Sequence, residues 1–183
     1  MTTLAEDYNY VKEHIRIVPD FPHKGIMFLD ITTAIKDAKA LQMMTDFLYE
    51  KFKTEKVDYV AGIESRGFIF GATLAYKLNC GFITIRKPNK LPAKTLREDY
   101  TLEYGTNSIE IHEDAIKPGD RVVVIDDLLA TGGTAIAACN LIKRVGAEVV
   151  STAFIIELDP LKGREKIESQ GYKVLSMLNY DLD

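Results

Sequence analysis

Two adjacent carboxylates, Asp126 and Asp127, follow the apolar run Val122–Ile125 and precede the segment Ala130-Thr131-Gly132-Gly133-Thr134. Residue types in this order suit the binding of a phosphorylated sugar. The β-branched run is short enough for a strand buried on both faces of a parallel sheet, which puts the acids at its carboxyl end. Open α/β sheets take ligands at that edge, and a glycine loop entering a helix offers a phosphate backbone N–H groups and a favourable dipole. Glycine allows close backbone approach, and the hydroxyls of Thr131 and Thr134 add donors. The acids are assigned to ribose hydroxyls, with Mg²⁺ nearby as a hard cation suited to carboxylate oxygen. The loop fits neither the Walker pattern G-x-x-x-x-G-K-[ST] nor the dinucleotide fingerprint G-x-G-x-x-G.

Three other segments carry complementary chemistry. Gly62–Gly67 reads G-I-E-S-R-G, a strand end and turn that present Glu64, Ser65 and Arg66 ahead of a helix. A planar guanidinium grips phosphate oxygens in a bidentate manner, so this turn is a second anion site, and two anion sites on one sheet edge suit a pyrophosphate-bearing sugar. The excursion 86–107 is too long and too charged for a plain connector and reads as a lid. Arg86, Lys87, Lys90 and Lys94 give its first half a field suited to a leaving pyrophosphate. Val18–Thr32 is broken by Pro19, Pro22 and Gly25, yet Phe21, Ile26, Met27 and Phe28 are apolar enough to cover a flat ligand.

Positioning these groups requires strands alternating with helices. Helices are expected over 4–15 and 39–53, the second with Leu41, Met44, Phe47, Leu48 and Phe52 at helical spacing. A strand over 57–63, a helix over 68–78 and a strand over 82–85 follow, and Ser108–His112 alternates like one arm of a hairpin. Beyond the motif strand come a helix over 134–145 and a strand over 148–156. Asp159 reads as an N-cap with Pro160 at the first helical position, Gly171 suits the far end of that helix, and Lys162, Arg164 and Lys166 are expected in solvent. Such alternation implies an α/β fold with a mainly parallel central sheet flanked by helices.

The 183 residues, 46% of them hydrophobic, suit a single domain over 1–183, and no stretch is apolar enough for a membrane span or a secretory leader. A cytoplasmic protein with no membrane partner is expected. A formal charge of -4 argues against a nucleic-acid surface. Cys80 and Cys139 lack metal-ligand spacing and His14, His23 and His112 are scattered, so all five receive structural readings.

The motif around Asp126 closely resembles the phosphoribosyl pyrophosphate (PRPP) motif of the type I phosphoribosyltransferases, and further segments are similar to their adenine branch. G-I-E-S-R-G-F-I-F-G resembles the branch's pyrophosphate loop, R-K-P-N-K-L-P with L-E-Y-G its mobile loop, F-P-H-K-G-I-M-F-L-D-I its hood, and L-K-G-R-E-K a further shared segment. The resemblance implies a small N-terminal hood, mainly 1–35, and a flexible β-hairpin lid over 86–107. It also implies that Asp126 and Asp127 hold the ribose 2- and 3-hydroxyls and that Ala130–Thr134 holds the 5-phosphate. Glu64, Ser65, Arg66, Arg86, Lys87 and Lys90 would serve PRPP, with a non-proline cis peptide between Glu64 and Ser65.

By the same resemblance Phe28 stacks on adenine, Met27 offers its backbone, and Leu29 and Leu158 border the base, Leu29 standing where the branch commonly has arginine. Glu103 would be the acid/base near the purine and Arg66 would act on the leaving group. The implied reaction transfers phosphoribose from PRPP to adenine, giving AMP and pyrophosphate, with Mg²⁺ held mainly through substrate oxygens. Arg86 and Lys87 reaching a neighbouring subunit's site would imply a homodimer. A transferase for another base, such as xanthine or orotate, and a non-catalytic PRPP-binding regulator are the alternatives.

Overall fold

The computed structural model describes residues 4–102 and 105–182. The chain opens with α1 (Leu4–His14), the short antiparallel pair β1 (Arg16–Val18) and β2 (Phe28–Asp30), then α2 (Thr32–Lys36) and α3 (Ala38–Phe52). Next come β3 (Tyr59–Ile63), α4 (Gly67–Leu78), β4 (Gly81–Ile85) and the antiparallel hairpin β5 (Thr95–Leu102) and β6 (Gly105–His112). The remainder is β7 (Arg121–Leu129), α5 (Gly133–Val145), β8 (Glu148–Leu158), a 3-10 turn (Asp159–Leu161), α6 (Gly163–Glu168) and β9 (Val174–Tyr180).

Five strands form one parallel sheet in the order β4-β3-β7-β8-β9. Period-two alternation divides the β-branched run of β7 between two cores. Val123 and Ile125 pack with Met44 and Leu48 of α3 and Phe70 and Leu74 of α4, whereas Val122 and Val124 pack with Ala138, Leu141 and Ile142 of α5. Both faces are therefore covered, and each fully buried aliphatic or aromatic side chain contributes roughly 1.5–3 kcal/mol. Asp37 accepts a hydrogen bond from the Ala40 N–H at 2.8 Å and caps α3, worth about 1 kcal/mol.

The sheet order fixes where a ligand belongs. From β3 the chain moves to β4 on one side, and from β7 it moves through β8 to β9 on the other. The crevice beyond the carboxyl ends of β3 and β7 is thus the topological switch point of the sheet.

Several expectations require correction. β7 does not stop at Ile125: β8 runs to Leu158 and supplies partners as far as Leu129↔Glu157, so Asp126 and Asp127 lie inside the second half of the strand. Asp159 is no N-cap; Asp159–Leu161 is a 3-10 turn ended by Lys162 at φ 52°, and α6 begins afresh at Gly163. The hairpin that the resemblance implied pairs Thr95–Leu102 with Gly105–His112, so it continues past residue 107, and Ser108–His112 makes up five of the eight residues of its second strand. Arg164 is not a solvent residue, because it pairs with buried Glu157 at 2.9 and 2.5 Å. β1, β2, α2 and β9 went unread, the first three for their shortness. Cys80 and Cys139 are free thiols, Cys139 buried in the core beneath α5. Among the described residues no helix is long and apolar enough to cross a membrane.

Candidate functional site

The two anion loops meet because glycines let backbones touch. Gly62 pairs with Ile125 across β3 and β7, which sets Glu64–Gly67 beside Asp126. A Cβ on Gly67 would lie 2.7 Å from the Ile125 carbonyl oxygen and 3.1 Å from Asp126 Oδ1, so only glycine allows this approach. The Glu64–Ser65 peptide is cis, as the resemblance implied.

Below the acids, Gly132 takes the left-handed conformation at φ 78° and is the N-cap of α5, leaving the amides of Gly133 and Thr134 at the helix N-terminus. Ala130, Thr131, Gly132, Gly133 and Thr134 line one small cavity of about 150 Å³ with Asp126. The loop is backed by a residue that sequence reasoning passed over. A Cβ on Gly163 would stand 2.1 Å from the Ala130 carbonyl oxygen, and one on Gly132 would stand 2.9 Å from the Gly163 carbonyl oxygen. Gly163 is held in turn by its neighbour Arg164, which bridges Glu157 of β8, the Val174 carbonyl at 3.0 Å and Ser176 Oγ at 2.8 Å. Its sequence signal was the L-K-G-R-E-K segment, which carries the glycine but does not show what it touches.

Electrostatically the two acids are unlike. Asp127 is buried and accepts a charge-assisted hydrogen bond from Arg66 Nε. Asp126 accepts from the Asp127 N–H at 2.9 Å, and burial, reinforced by the adjacent Asp127 charge, pushes its carboxyl well above the ordinary carboxylate range. Arg66 thus stands against Asp127 with its side chain half-exposed.

Arg66 also lines a larger cavity of about 420 Å³ beneath the hood, with Val18, Phe21, Phe28, Leu29, Asp30, Ile31 and Thr32. Phe21 and Phe28 meet edge to face with centroids 5.1 Å apart. The Leu29 side chain is buried in the core, so its place on the cavity wall is fixed by packing. Met27 is exposed beside the cavity rather than on its described wall, and Leu158 sits at the end of β8 against the core. Asp30 was also unread: it accepts from the Thr32 N–H at 2.9 Å and Oγ1 at 2.5 Å, and from Arg16 Nη2 at 2.5 Å. Thr32 first, then Arg16, lower its pKa to about 2, fixing a negative charge in the wall.

At the root of the lid, Arg86 donates to both carboxylate oxygens of Glu64 at 3.1 Å, and the Lys87 N–H donates to the same group at 3.1 Å. The Arg86 hydrogen bond holds Glu64 below its ordinary pKa. Arg86 is therefore tied to the Glu64–Gly67 turn of its own chain, while the Lys87 and Lys90 side chains are exposed. Farther out, Glu98 accepts from Asn140 Nδ2 at 3.0 Å and Arg144 Nη1 at 2.9 Å, docking β5 on α5. Glu103 lies outside the described residues. No cluster of three or more His, Cys, Asp or Glu able to hold a metal occurs among the described residues.

A phosphoribosyl transferase domain model matches residues 32–181. The chain belongs to the phosphoribosyl transferase family. It is 50% identical over 180 residues, 98% of each chain, to an adenine phosphoribosyltransferase of Koribacter versatilis. It superposes on the crystal structure of adenine phosphoribosyltransferase from Thermoanaerobacter pseudethanolicus with a TM-score of 0.90 and 49% identity, covering 97% of this chain and 100% of that one. The Saccharomyces cerevisiae enzyme complexed with an imino-altritol bisphosphate and adenine gives a TM-score of 0.88 at 38% identity, over 95% of this chain and 99% of that one. The parallel sheet and its switch-point crevice are those of this family.

Proposed function

We propose that the chain transfers the phosphoribosyl group of PRPP to adenine, yielding AMP and pyrophosphate in purine salvage. One arrangement carries the reading: an aromatic-lined cavity under the hood ends at Arg66, whose guanidinium pairs with Asp127 at the sugar site. A base and a phosphorylated sugar thereby meet across a single side chain. Relatives named as adenine phosphoribosyltransferases, matched over nearly the whole chain, support the choice of base.

In this reading adenine N9 attacks C1 of the ribose as pyrophosphate leaves, with inversion at that carbon. Asp126 and Asp127 hold the 2- and 3-hydroxyls and favour positive character in the sugar ring, while Ala130, Thr131, Gly132, Gly133 and Thr134 hold the 5-phosphate. Glu64 and Ser65 shape the pyrophosphate loop, and Arg66 turns from Asp127 to the departing group as Lys87 and Lys90 close over it with Arg86 at the hinge. Phe28 stacks on adenine, Met27 and Leu29 present main-chain groups to its edge, and Leu158 borders it. Glu103 manages a proton on the purine ring, a role worth about 10²–10⁴ in rate.

Mg²⁺ would be held mainly through the oxygens of the substrate phosphates and ribose hydroxyls, a donor set that suits a hard cation, and would supply positive charge against the departing pyrophosphate. A cytoplasmic homodimer completes the proposal. The test is Mg²⁺-dependent pyrophosphate release from PRPP with adenine, guanine, hypoxanthine, xanthine or orotate, with identification of the nucleotide formed. Adenine-dependent AMP formation is the expected result; reaction with another base refutes the hood assignment, and PRPP binding without any transfer refutes catalysis.

A further inference from the structure

Tyr100 belongs to neither anion loop, yet it reaches one of them. Along β5 the side chains alternate, so Leu96, Glu98 and Tyr100 turn inward while Arg97 and Asp99 are exposed. Leu96 and Tyr100 pack on the core cluster that includes Ala137, Ala138 and Leu141 of α5. Glu98 fixes the register of that contact through Asn140 and Arg144, and Arg144 also donates to the Arg97 carbonyl at 2.7 Å. Held this way, the Tyr100 hydroxyl accepts a hydrogen bond at 3.2 Å from Thr134 Oγ1 in the first turn of α5. Beside this contact, Tyr100, Gly133, Ile136, Ala137 and Asn140 line a cavity of about 200 Å³ between the hairpin and the helix.

We propose that Tyr100 is a positioning residue for the 5-phosphate, acting through Thr134. A threonine hydroxyl has one proton and two acceptor lone pairs. A phosphate on the loop draws the threonine proton away from the tyrosine to one of its own oxygens, and the Tyr100 hydroxyl proton, turning about its C–O bond, then donates to the vacated lone pair of Thr134 Oγ1. The chain Tyr100 O–H to Thr134 O–H to phosphate is then aligned donor to acceptor, and each bond polarises the next. Without the tyrosine hydroxyl, Thr134 loses both the acceptor that holds its rotor in the empty site and the donor that supports it once phosphate is bound. The inference rests on the assignment of Thr134 to the 5-phosphate in the proposed function.

Tyr100→Phe removes one oxygen and keeps the ring against α5. The expected outcome is a rise in KM for PRPP of about fivefold, the ~1 kcal/mol of one hydrogen bond, with kcat nearly unchanged. Ribose 5-phosphate, which carries only the 5-phosphate, should weaken as a competitive inhibitor by the same factor, while inhibition by pyrophosphate stays as in the parent enzyme. Thr134→Val should raise KM by itself and erase the effect of adding Tyr100→Phe, whereas Thr134→Ser should preserve that effect. A parent-like KM in Thr134→Val overturns the phosphate assignment and the relay with it. If Thr134→Val is impaired but Tyr100→Phe is not, or if Tyr100→Phe costs the same in both backgrounds, the relay alone is wrong.

Discussion

Gly163→Ala tests whether the phosphate loop is held in place from behind. The added Cβ would sit 2.1 Å from the Ala130 carbonyl oxygen and 2.8 Å from Leu129 Cδ1, against ordinary contacts of 3.4 Å or more. Relief requires the Ala130 backbone and α6 to part by about 1 Å. α6 resists, because Arg164 clamps it to Glu157, Ser176 and the Val174 carbonyl. The displacement therefore falls largely on 130–132, and a misplacement of that size in a binding loop costs on the order of 100-fold in kcat/KM. Overpacking should also lower stability by roughly 1–3 kcal/mol, too little to unfold a typical domain. Gly171→Ala is the control: at φ 84° it strains the backbone, yet nothing lies within 4 Å of its Cβ, so it should lose stability without changing KM. Steady-state kinetics in PRPP, beside thermal unfolding of both variants, measure the two effects separately. A folded Gly163→Ala enzyme with the parent KM for PRPP would refute the reasoning.

Other consequences follow from the same geometry. Asp126→Asn should abolish turnover yet raise the melting temperature of the ligand-free protein by a few degrees, about 1 kcal/mol at this chain length. Because the native Asp126 pKa is raised above its ordinary 3.8, the parent protein should lose stability relative to this variant as pH rises between those values, which unfolding measured across pH will check. Asp30 has the opposite sign: lowered to about 2, it contributes stability present above 3.8 and lost as pH falls toward 2, so Asp30→Asn should flatten the acid limb of the unfolding curve. Glu103→Ala should lower turnover at least tenfold while isothermal titration finds PRPP affinity little altered; unchanged turnover removes Glu103 from the mechanism. Glu64→Gln should loosen the lid root by weakening the Arg86 pair, seen as faster hydrogen exchange at 86–90.

The chemistry-bearing residues were legible because their signals are local. Asp126 and Asp127 after an apolar run, then a threonine–glycine loop, specify strand, turn and helix within one short stretch, and the fold places them at the switch point as that pattern implies. The supporting contacts were illegible because they join segments far apart in the chain. Gly163 meets Ala130 only after β8 and the 3-10 turn have returned the chain to the loop. Arg164 read as solvent because its partner, Glu157, is buried by β9, an edge strand whose Ser176 and Asn179 disguise its apolar pattern. Tyr100 was hidden in a stretch read for its charge, where the alternation that turns it inward was masked by Arg97, Glu98 and Asp99. The end of β7 was misjudged because strand length is set by the partner, here β8, and not by the run of β-branched residues alone.

Placing two carboxylates side by side in a buried strand is unfavourable unless their charges are handled differently. The fold does this with residues drawn from the other anion loop. Arg66 neutralises Asp127, and Asp126, left to burial and to its neighbour's charge, holds a proton more readily than a free carboxyl. The Arg66 pair offsets the Asp127 charge, which in the proposed function would reduce repulsion of an incoming polyphosphate. A sugar diol can then replace the arginine on Asp127, because hydroxyls donate to the same oxygens. Arg66 is displaced toward the end of the crevice where the pyrophosphate of the proposed substrate would lie. In the proposed function, sugar and leaving group would be recognised by one exchange of hydrogen-bond partners, and the glycine contact between Gly67 and the Ile125 carbonyl brings the two loops close enough for it.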